Sequence, residues 1–357
     1  MIDITIYRLF DAVLIFGLNF SGVYEMRYNP ALDGLRAIAI ALVLACHTQL
    51  LRGGWVGVDV FFVLSGYLIT SILLNELRQT GRISFANFYW RRSLRLLPAL
   101  AVLVTFMLVR SVLSPNGGEI RAATLIGAAY LENWNNVYSF GPFDLMGHTW
   151  SLATEEQFYI LWPLLLPLVF LYRPMAWIGI ALGAMIAAHF LGYSYATVQY
   201  SLFIRPVGLV IGCMLAFMQT QRWKLPTAIA PTLLLTLVVI AACANRISPA
   251  APMIASIAAA GMIVCLQRPG LLTSALATMP VRYIGKISYG LYLYHWPIFI
   301  LGEKWKFHTP FHLYAAGLLA VIFVAAALSY ELVEKPFLRL KDHRMVIFGE
   351  RRVSPAS

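Results

Sequence analysis

Arg36 and His47 are the residues of this 357-residue chain whose types and spacing first point to chemistry. They lie eleven positions apart in Ala31 to Leu51, a stretch otherwise apolar enough to enter a bilayer. On one α-helix they stand about 16 Å apart along the axis, and because eleven residues make close to three turns they share a face. A spanning helix that carries two ionisable groups on one face, at different depths, marks a functional site, since hydrocarbon rejects charge that has neither partner nor task.

Four further clusters could join them. Asp59 opens the next apolar run, a short turn after His47, behind Gly53, Gly54 and Gly57, which allow close backbone approach. Its carboxylate either orients and polarises the His47 imidazole or caps its own helix. Arg92 and Arg95, three apart and so on one helical face, follow Phe88, Tyr89 and Trp90. Guanidinium forks and aromatic faces suit a phosphate-rich, adenine-bearing ligand, and equally a basic, aromatic membrane anchor. Ser151, Thr154, Glu155 and Glu156 read as a helix start whose two carboxylates exceed what capping requires; one could neutralise a buried arginine or handle a proton. Between Ile287 and Phe299, Tyr289, Tyr292 and His295 make a polar aromatic stripe that could bind a sugar or cofactor ring, or simply pack. Glu331 and Glu334 facing Lys335, with Pro336 next, read as a structural helix end; His189, Arg110 and Arg205 read as packing or snorkelling groups.

The elements that must position these groups are membrane helices. The chain is 60% hydrophobic and 12% charged, which excludes a soluble domain of this size and gives an all-α polytopic membrane protein. Its net charge of +11 comes from basic residues that punctuate apolar runs, as membrane topology requires, rather than from a patch for nucleic acid. Cys46, Cys213, Cys243 and Cys265 all sit in apolar segments and suit packing, with neither disulfide nor metal spacing. Ten runs are long enough to span or nearly so, near 32–51, 55–75, 96–113, 155–172, 174–191, 202–219, 225–244, 250–267, 283–302 and 311–333; a shorter one, 122–131, is interrupted by Gly127. Each span flips the side of the next loop. Only if 122–131 stays re-entrant or interfacial do the arginine-rich segment 76–95 and the basic C-terminal tail both fall inside. The expectation is therefore a single bundle of about ten transmembrane helices with both termini cytoplasmic, Arg36 toward the cytoplasm and His47 toward the outer half of the membrane. Residues 1–25 read as an N-terminal extension ahead of a natural start at Met26, or as a peripheral helix; residues 26–341 form the membrane domain and 342–357 a basic cytoplasmic tail.

Taken in order, these segments resemble the acyltransferase-3 family of integral-membrane acyltransferases. The resemblance runs from Pro30 to Leu340. It rests on the arginine, ten residues, histidine pattern (Arg36, His47), the R-x-x-R pair (Arg92, Arg95), W-S-L-x-x-E-x-Q-F-Y (Trp150 to Tyr159) and S-Y-x-x-Y-L-x-H-x-P (Ser288 to Pro297). It implies a bacterial cytoplasmic-membrane enzyme that moves an acyl group, usually acetyl, from acyl-CoA to a hydroxyl of a carbohydrate or lipid-linked glycan. Acyl-CoA would be a substrate, with no tightly bound cofactor and no metal, and membrane lipid the other partner. Many members carry an additional extracytoplasmic SGNH-hydrolase-like domain. This chain ends soon after its last span, so the expectation is that transfer finishes in the membrane domain or on a partner. On this reading His47, Asp59 and Glu155 are the catalytic candidates, Arg36, Arg92 and Arg95 hold acyl-CoA, and Trp150, Tyr159, Tyr292 and His295 line the acceptor path. The competing readings are a proton-coupled transporter, with His47 and Glu155 as a relay, and acyl transfer to a small molecule other than a carbohydrate.

Overall fold

The computed structural model describes residues 28–142, 146–171, 174–191, 195–218, 225–244, 250–306 and 310–342. The expected N-terminal extension, 1–25, and residues 343–357 of the expected tail lie outside them. Among the described residues every regular element is helical. In chain order the helices are α1 (Pro30–His47), α2 (Gly57–Thr80), α3 (Phe85–Val112), α4 (Gly117–Ala128), α5 (Glu132–Tyr138), α6 (Trp150–Leu171), α7 (Pro174–Phe190), α8 (Tyr195–Tyr200), α9 (Val207–Phe217), α10 (Ala230–Cys243), α11 (Ala250–Cys265), α12 (Leu271–Leu276), α13 (Met279–Lys286), α14 (Ser288–Gly302), α15 (Phe311–Ser329) and α16 (Lys335–Arg339). Each of the ten apolar runs has most of its length in one helix; 283–302 begins in α13 and continues through α14. The interrupted stretch at 122–131 falls on α4 and the turn after it; twelve residues reach about 18 Å, well short of a bilayer's hydrocarbon core.

Four helices are long and apolar enough to cross a membrane: Pro30–His47, Gly54–Thr80, Phe85–Val112 and Phe311–Arg339. Their outward faces carry what lipid prefers, as with Val321, Phe323, Val324 and Leu328 on α15, and α6 likewise exposes Leu161, Leu164, Leu165 and Leu168. The chain is a membrane protein.

α1 is the strut between two halves of the interior. Ala31, Leu35, Ala39 and Leu42 pack into a core shared with α2, α9 and α11, while Ile40 and Val43 pack into another shared with α3, α14 and α15. Its start is written locally: the Asn29 side chain accepts from the Ala31 N–H at 3.0 Å, Pro30 occupies the first turn, and Asp33 faces the positive helix end. Its exit is also local, with Thr48 Oγ1 donating to the Leu44 carbonyl at 2.9 Å and Gln49 in the left-handed region at φ 62°. A 3-10 turn over Gly54–Val56 then returns the chain as α2, so close that a Cβ on Gly57 would stand 2.3 Å from the Ala39 carbonyl oxygen.

The most extensive helix pair is α2 with α9. A Cβ on Gly212 of α9 would lie 2.3 Å from the Val63 carbonyl oxygen and 2.6 Å from the Tyr67 nitrogen, both rigid backbone. Gly212→Ala must push the two helices apart, and overpacking of this kind costs about 1–3 kcal/mol. Gly183→Ala in α7, where the added carbon meets open space, is the control and should be neutral or stabilising, because helix-interior glycine is intrinsically poorer than alanine. Thermal melts of the two variants in detergent check the difference.

The tenth run does not run straight to its end. After α15 the chain forms a π-helical turn, Tyr330–Glu334. Glu331 pairs with Lys335 at 2.6 Å on the surface, as the sequence suggests. Glu334 does not face Lys335. The extra residue in the turn rotates it inward, where its carboxylate accepts from Ser329 Oγ at 3.2 Å.

Candidate active site

Three arginines that are far apart or merely adjacent in sequence meet in one cavity of about 290 Å³. Arg36 of α1 and Arg92 and Arg95 of α3 line it, with Glu155, Tyr159 and Tyr292 completing its polar wall. Arg92 and Arg95 reach it together because they share a helical face, and Ser151, Glu155 and Tyr159 because a spacing of four does the same on α6. The Arg92 guanidinium lies 3.5 Å above the centre of the Tyr159 ring, a cation–π contact. Glu155 accepts from Ser65 Oγ at 2.5 Å and is an electrostatic partner of both Arg92 and Arg36. Glu156 partners Arg92 as well. Three like charges gathered in a protein interior repel one another. Among the described residues the buried Arg92 Nε–H has no hydrogen-bond partner, so the cavity retains donor capacity for an anion.

A second cavity, about 350 Å³, lies at the other end of α1. His47 lines it with His148, Trp55, Trp150, Tyr200 and Trp296. Tyr292 and Val58 line both cavities, so the two meet at these side chains. The His47 ring packs 4.9 Å from His295 and 4.9 Å from Trp296, centre to centre. Trp150 stands against Tyr200 at 5.2 Å. Short helix α5 contributes Asn136 to the same cavity. Beside it, outside the long helices, burial pushes the Glu132 carboxyl up to about 7, partly offset by the Asn135 amide.

The helix starts that deliver these groups obey simple rules. A 3-10 turn, Gly147–Thr149, feeds α6, which begins at Trp150 beside the hydroxyls the sequence marks as a start. In α14, Pro297 has no N–H to give to the Leu293 carbonyl four residues back. His148 Nε2 meets that carbonyl instead, at 3.0 Å. The same helix sets Tyr292, whose hydroxyl donates to the His148 carbonyl at 2.9 Å and lies 2.6 Å from Ser151 Oγ.

Of the residues singled out by sequence, Arg36, Arg92, Arg95, Glu155, Tyr159 and Tyr292 share the first cavity, and His47, Trp150 and Tyr292 the second. His295 is fully buried one layer behind, in ring contact with His47, His148 and Tyr292. Asp59 is also fully buried and lines neither cavity. Where the sequence places it across the turn from His47, the structure gives it a bidentate ion pair with Arg205. Arg205 is therefore no snorkelling group: it is 1% exposed, held before Pro206 in a non-helical segment and ringed by Trp55, Phe62 and Trp150 at 5.6–5.9 Å. A guanidinium so far from water requires a carboxylate. His148, which lines the second cavity, is the candidate that sequence reading passed over. It appears there only as the first letter of a longer stretch, and nothing local shows that it faces α14.

Comparison with known proteins gives the family of the chain. The family model described as an acyltransferase domain matches residues 29–330, which include every residue that lines the second cavity and all but Tyr28 of the first. The chain is 32% identical over 349 residues to the peptidoglycan O-acetyltransferase OatA of Listeria monocytogenes, covering 88% of this chain and 56% of that protein. It is 32% identical over 367 residues to the O-acetyltransferase OatA of Staphylococcus aureus, covering 93% of this chain and 60% of that protein. The chain thus spans a little over half the length of these curated relatives. No solved structure matches it. A match over this much of the sequence, at this identity and around this pair of cavities, places the chain in the acyltransferase-3 family.

Proposed function

We propose that this protein is a membrane O-acyltransferase that carries an acetyl group from cytoplasmic acyl-CoA to a hydroxyl of a cell-envelope carbohydrate. The observation that carries the reading is the placement of Arg36 and His47 on one helix, in two cavities that meet at Tyr292 and Val58. The names of the matched relatives support an O-linked acetyl product and a peptidoglycan-type acceptor. In this reading the ten apolar helices all span, both termini are cytoplasmic, and the protein sits in a bacterial cytoplasmic membrane with the arginine cavity facing inward.

The phosphates and adenine of the donor dock against Arg36, Arg92 and Arg95. The pantetheine arm then passes Tyr292 and brings the thioester to His47. The rise along α1 from Arg36 to His47, about 16 Å, is comparable with the length of that arm. His47 removes the proton of the acceptor hydroxyl as its oxygen attacks the thioester carbonyl. Collapse breaks the carbon–sulfur bond, and the departing thiolate takes the proton back from His47. The acceptor occupies the second cavity, where Trp55, Trp150 and Trp296 offer apolar faces to a sugar ring and Asn136 offers an amide. Glu155 balances charge among the arginines.

The test is transfer itself. Membrane vesicles containing the protein are given radiolabelled acetyl-CoA on the cytoplasmic side and peptidoglycan fragments on the other. Alkali-labile label on the glycan is the expected result; solute flux without covalent label would replace this reading with a transporter. In the same assay Arg36→Ala should raise the KM for acetyl-CoA about 10–100-fold with little change in kcat, the value of one charged hydrogen bond to phosphate. An unchanged donor KM would remove Arg36 from the donor site.

A further inference from the structure

A wall stands across the route from the arginines to His47. The two cavities stay separate, and Val58 of α2 and Tyr292 of α14 are the side chains that line both. Neither is free to withdraw. Tyr292 is pinned at its far end, where its hydroxyl donates to the His148 carbonyl at 2.9 Å and lies 2.6 Å from Ser151 Oγ. Val58 sits in the first turn of α2 and is 7% exposed. The backbone there is pressed against α1: a Cβ on Gly54 would stand 2.1 Å from the Leu42 carbonyl oxygen, and one on Gly57 2.3 Å from that of Ala39. A β-branched side chain in a helix keeps one strongly preferred rotamer, so the two Val58 methyls do not swing aside. Other rings complete a collar. Phe61 and Phe62, three and four residues on and so on the same helical face, line the first cavity, and Trp150 lines the second. Phe61 meets Tyr292 edge-on with centres 6.4 Å apart, and Phe62 meets Trp150 edge-on at 6.3 Å.

The part of a pantetheine arm next to its sulfur is an unbranched chain of methylene and amide groups. A passage that threads such an arm between side chains held in place also admits an unbranched acyl group. A branched acyl group has a larger cross-section, and packed interiors make room for an extra methyl only at a cost. We propose that Val58 and Tyr292 form a cross-section filter for the acyl group, with Val58 as the specificity-determining residue. Straight-chain acyl groups pass to His47, and branched ones are held back on the arginine side. The inference rests on the reading of the protein as an acyltransferase whose donor arm threads the bundle. Val58 is the informative position because its size can change without stranding a polar group, whereas Tyr292 also ties α14 to the start of α6.

Two donors with the same four carbons, n-butyryl-CoA and isobutyryl-CoA, differ in branching alone. Each is given, beside acetyl-CoA, to the cytoplasmic side of membrane vesicles, with peptidoglycan fragments on the other side. By kcat/KM the native protein should use isobutyryl at least about tenfold less well than n-butyryl, since one misplaced carbon in an apolar passage discriminates by about 10–200-fold. Val58→Ala should narrow that ratio by about tenfold and leave acetyl transfer within about threefold. Val58→Phe should lose transfer from every donor by about 100-fold or more, yet bind acetyl-CoA within about twofold of native, because Arg36, Arg92 and Arg95 are untouched. A native protein equally active or equally inactive with the two isomers, an isomer ratio that Val58→Ala leaves unchanged, or native acetyl transfer by Val58→Phe overturns the filter. Should Val58→Phe fail to fold, the isomer ratio in Val58→Ala decides alone. Native protein that transfers no acyl group from any of the three donors removes the acyltransferase reading and the filter with it. Native acetyl transfer beside an unchanged isomer ratio removes the filter only.

Discussion

His47→Ala should abolish measurable acetyl transfer while leaving the protein folded, inserted and able to bind acetyl-CoA. A positioned general base contributes about 10²–10⁴ in rate, which corresponds to about 3–5 kcal/mol at 1.36 kcal/mol per decade. The substitution should cost little stability, because His47 is half-buried at a cavity rim at the last residue of α1, where no helical turn continues beyond it. Binding should survive because, in the proposed function, the donor's charge is held by Arg36, Arg92 and Arg95, which line the other cavity. The expected signature is therefore a collapse of kcat with the acetyl-CoA dissociation constant within about twofold, measured by equilibrium binding to the purified variant. The converse pattern, weakened donor binding with residual turnover, would place His47 on the donor rather than on the reacting hydroxyl. Native kcat in the variant would remove it from the chemistry altogether.

How much of this was legible in the sequence follows from the range of each interaction. The helices were legible because an apolar run declares itself residue by residue, and each of the ten runs has most of its length in one helix, although the break between α13 and α14 inside 283–302 was not marked. The ends were legible where the start signal is local, as with Ser151 within the first turn of α6. The two-cavity arrangement was half legible: helical spacing puts Arg92 with Arg95 and Glu155 with Tyr159, but only packing puts the two pairs and Arg36 into one space. What stayed hidden are contacts between residues far apart in the chain. Asp59 and Arg205 are 146 positions apart and His148 reaches Leu293 across 145. The turn at Glu334 stayed hidden for a different reason. Glu331 and Glu334 look alike beside Lys335 in sequence, and a π turn of a few residues decides that one faces solvent and the other the interior.

The second large effect concerns that hidden pair. Asp59→Leu alone should leave too little folded protein to assay, because it strands the Arg205 guanidinium, 1% exposed, among Trp55, Phe62 and Trp150. Removing one partner of a buried ion pair costs about 3–5 kcal/mol, a large part of the 5–15 kcal/mol that typically separates folded from unfolded. Arg205→Met alone should fail in the same way, since it strands the carboxylate. The double variant Asp59→Leu with Arg205→Met should recover folded yield and melting temperature to near native values, because two apolar side chains of similar bulk need no compensation. The double variant also separates the two roles open to Asp59. If the carboxylate, which lines neither cavity and pairs with Arg205, acts by holding α2 against the start of α9, activity should return with the fold, within about tenfold of native. A double variant that folds yet loses transfer by 100-fold or more would instead make Asp59 a partner of His47 in the chemistry, and single variants as stable as the native protein would mean that the pair does not hold these helices together.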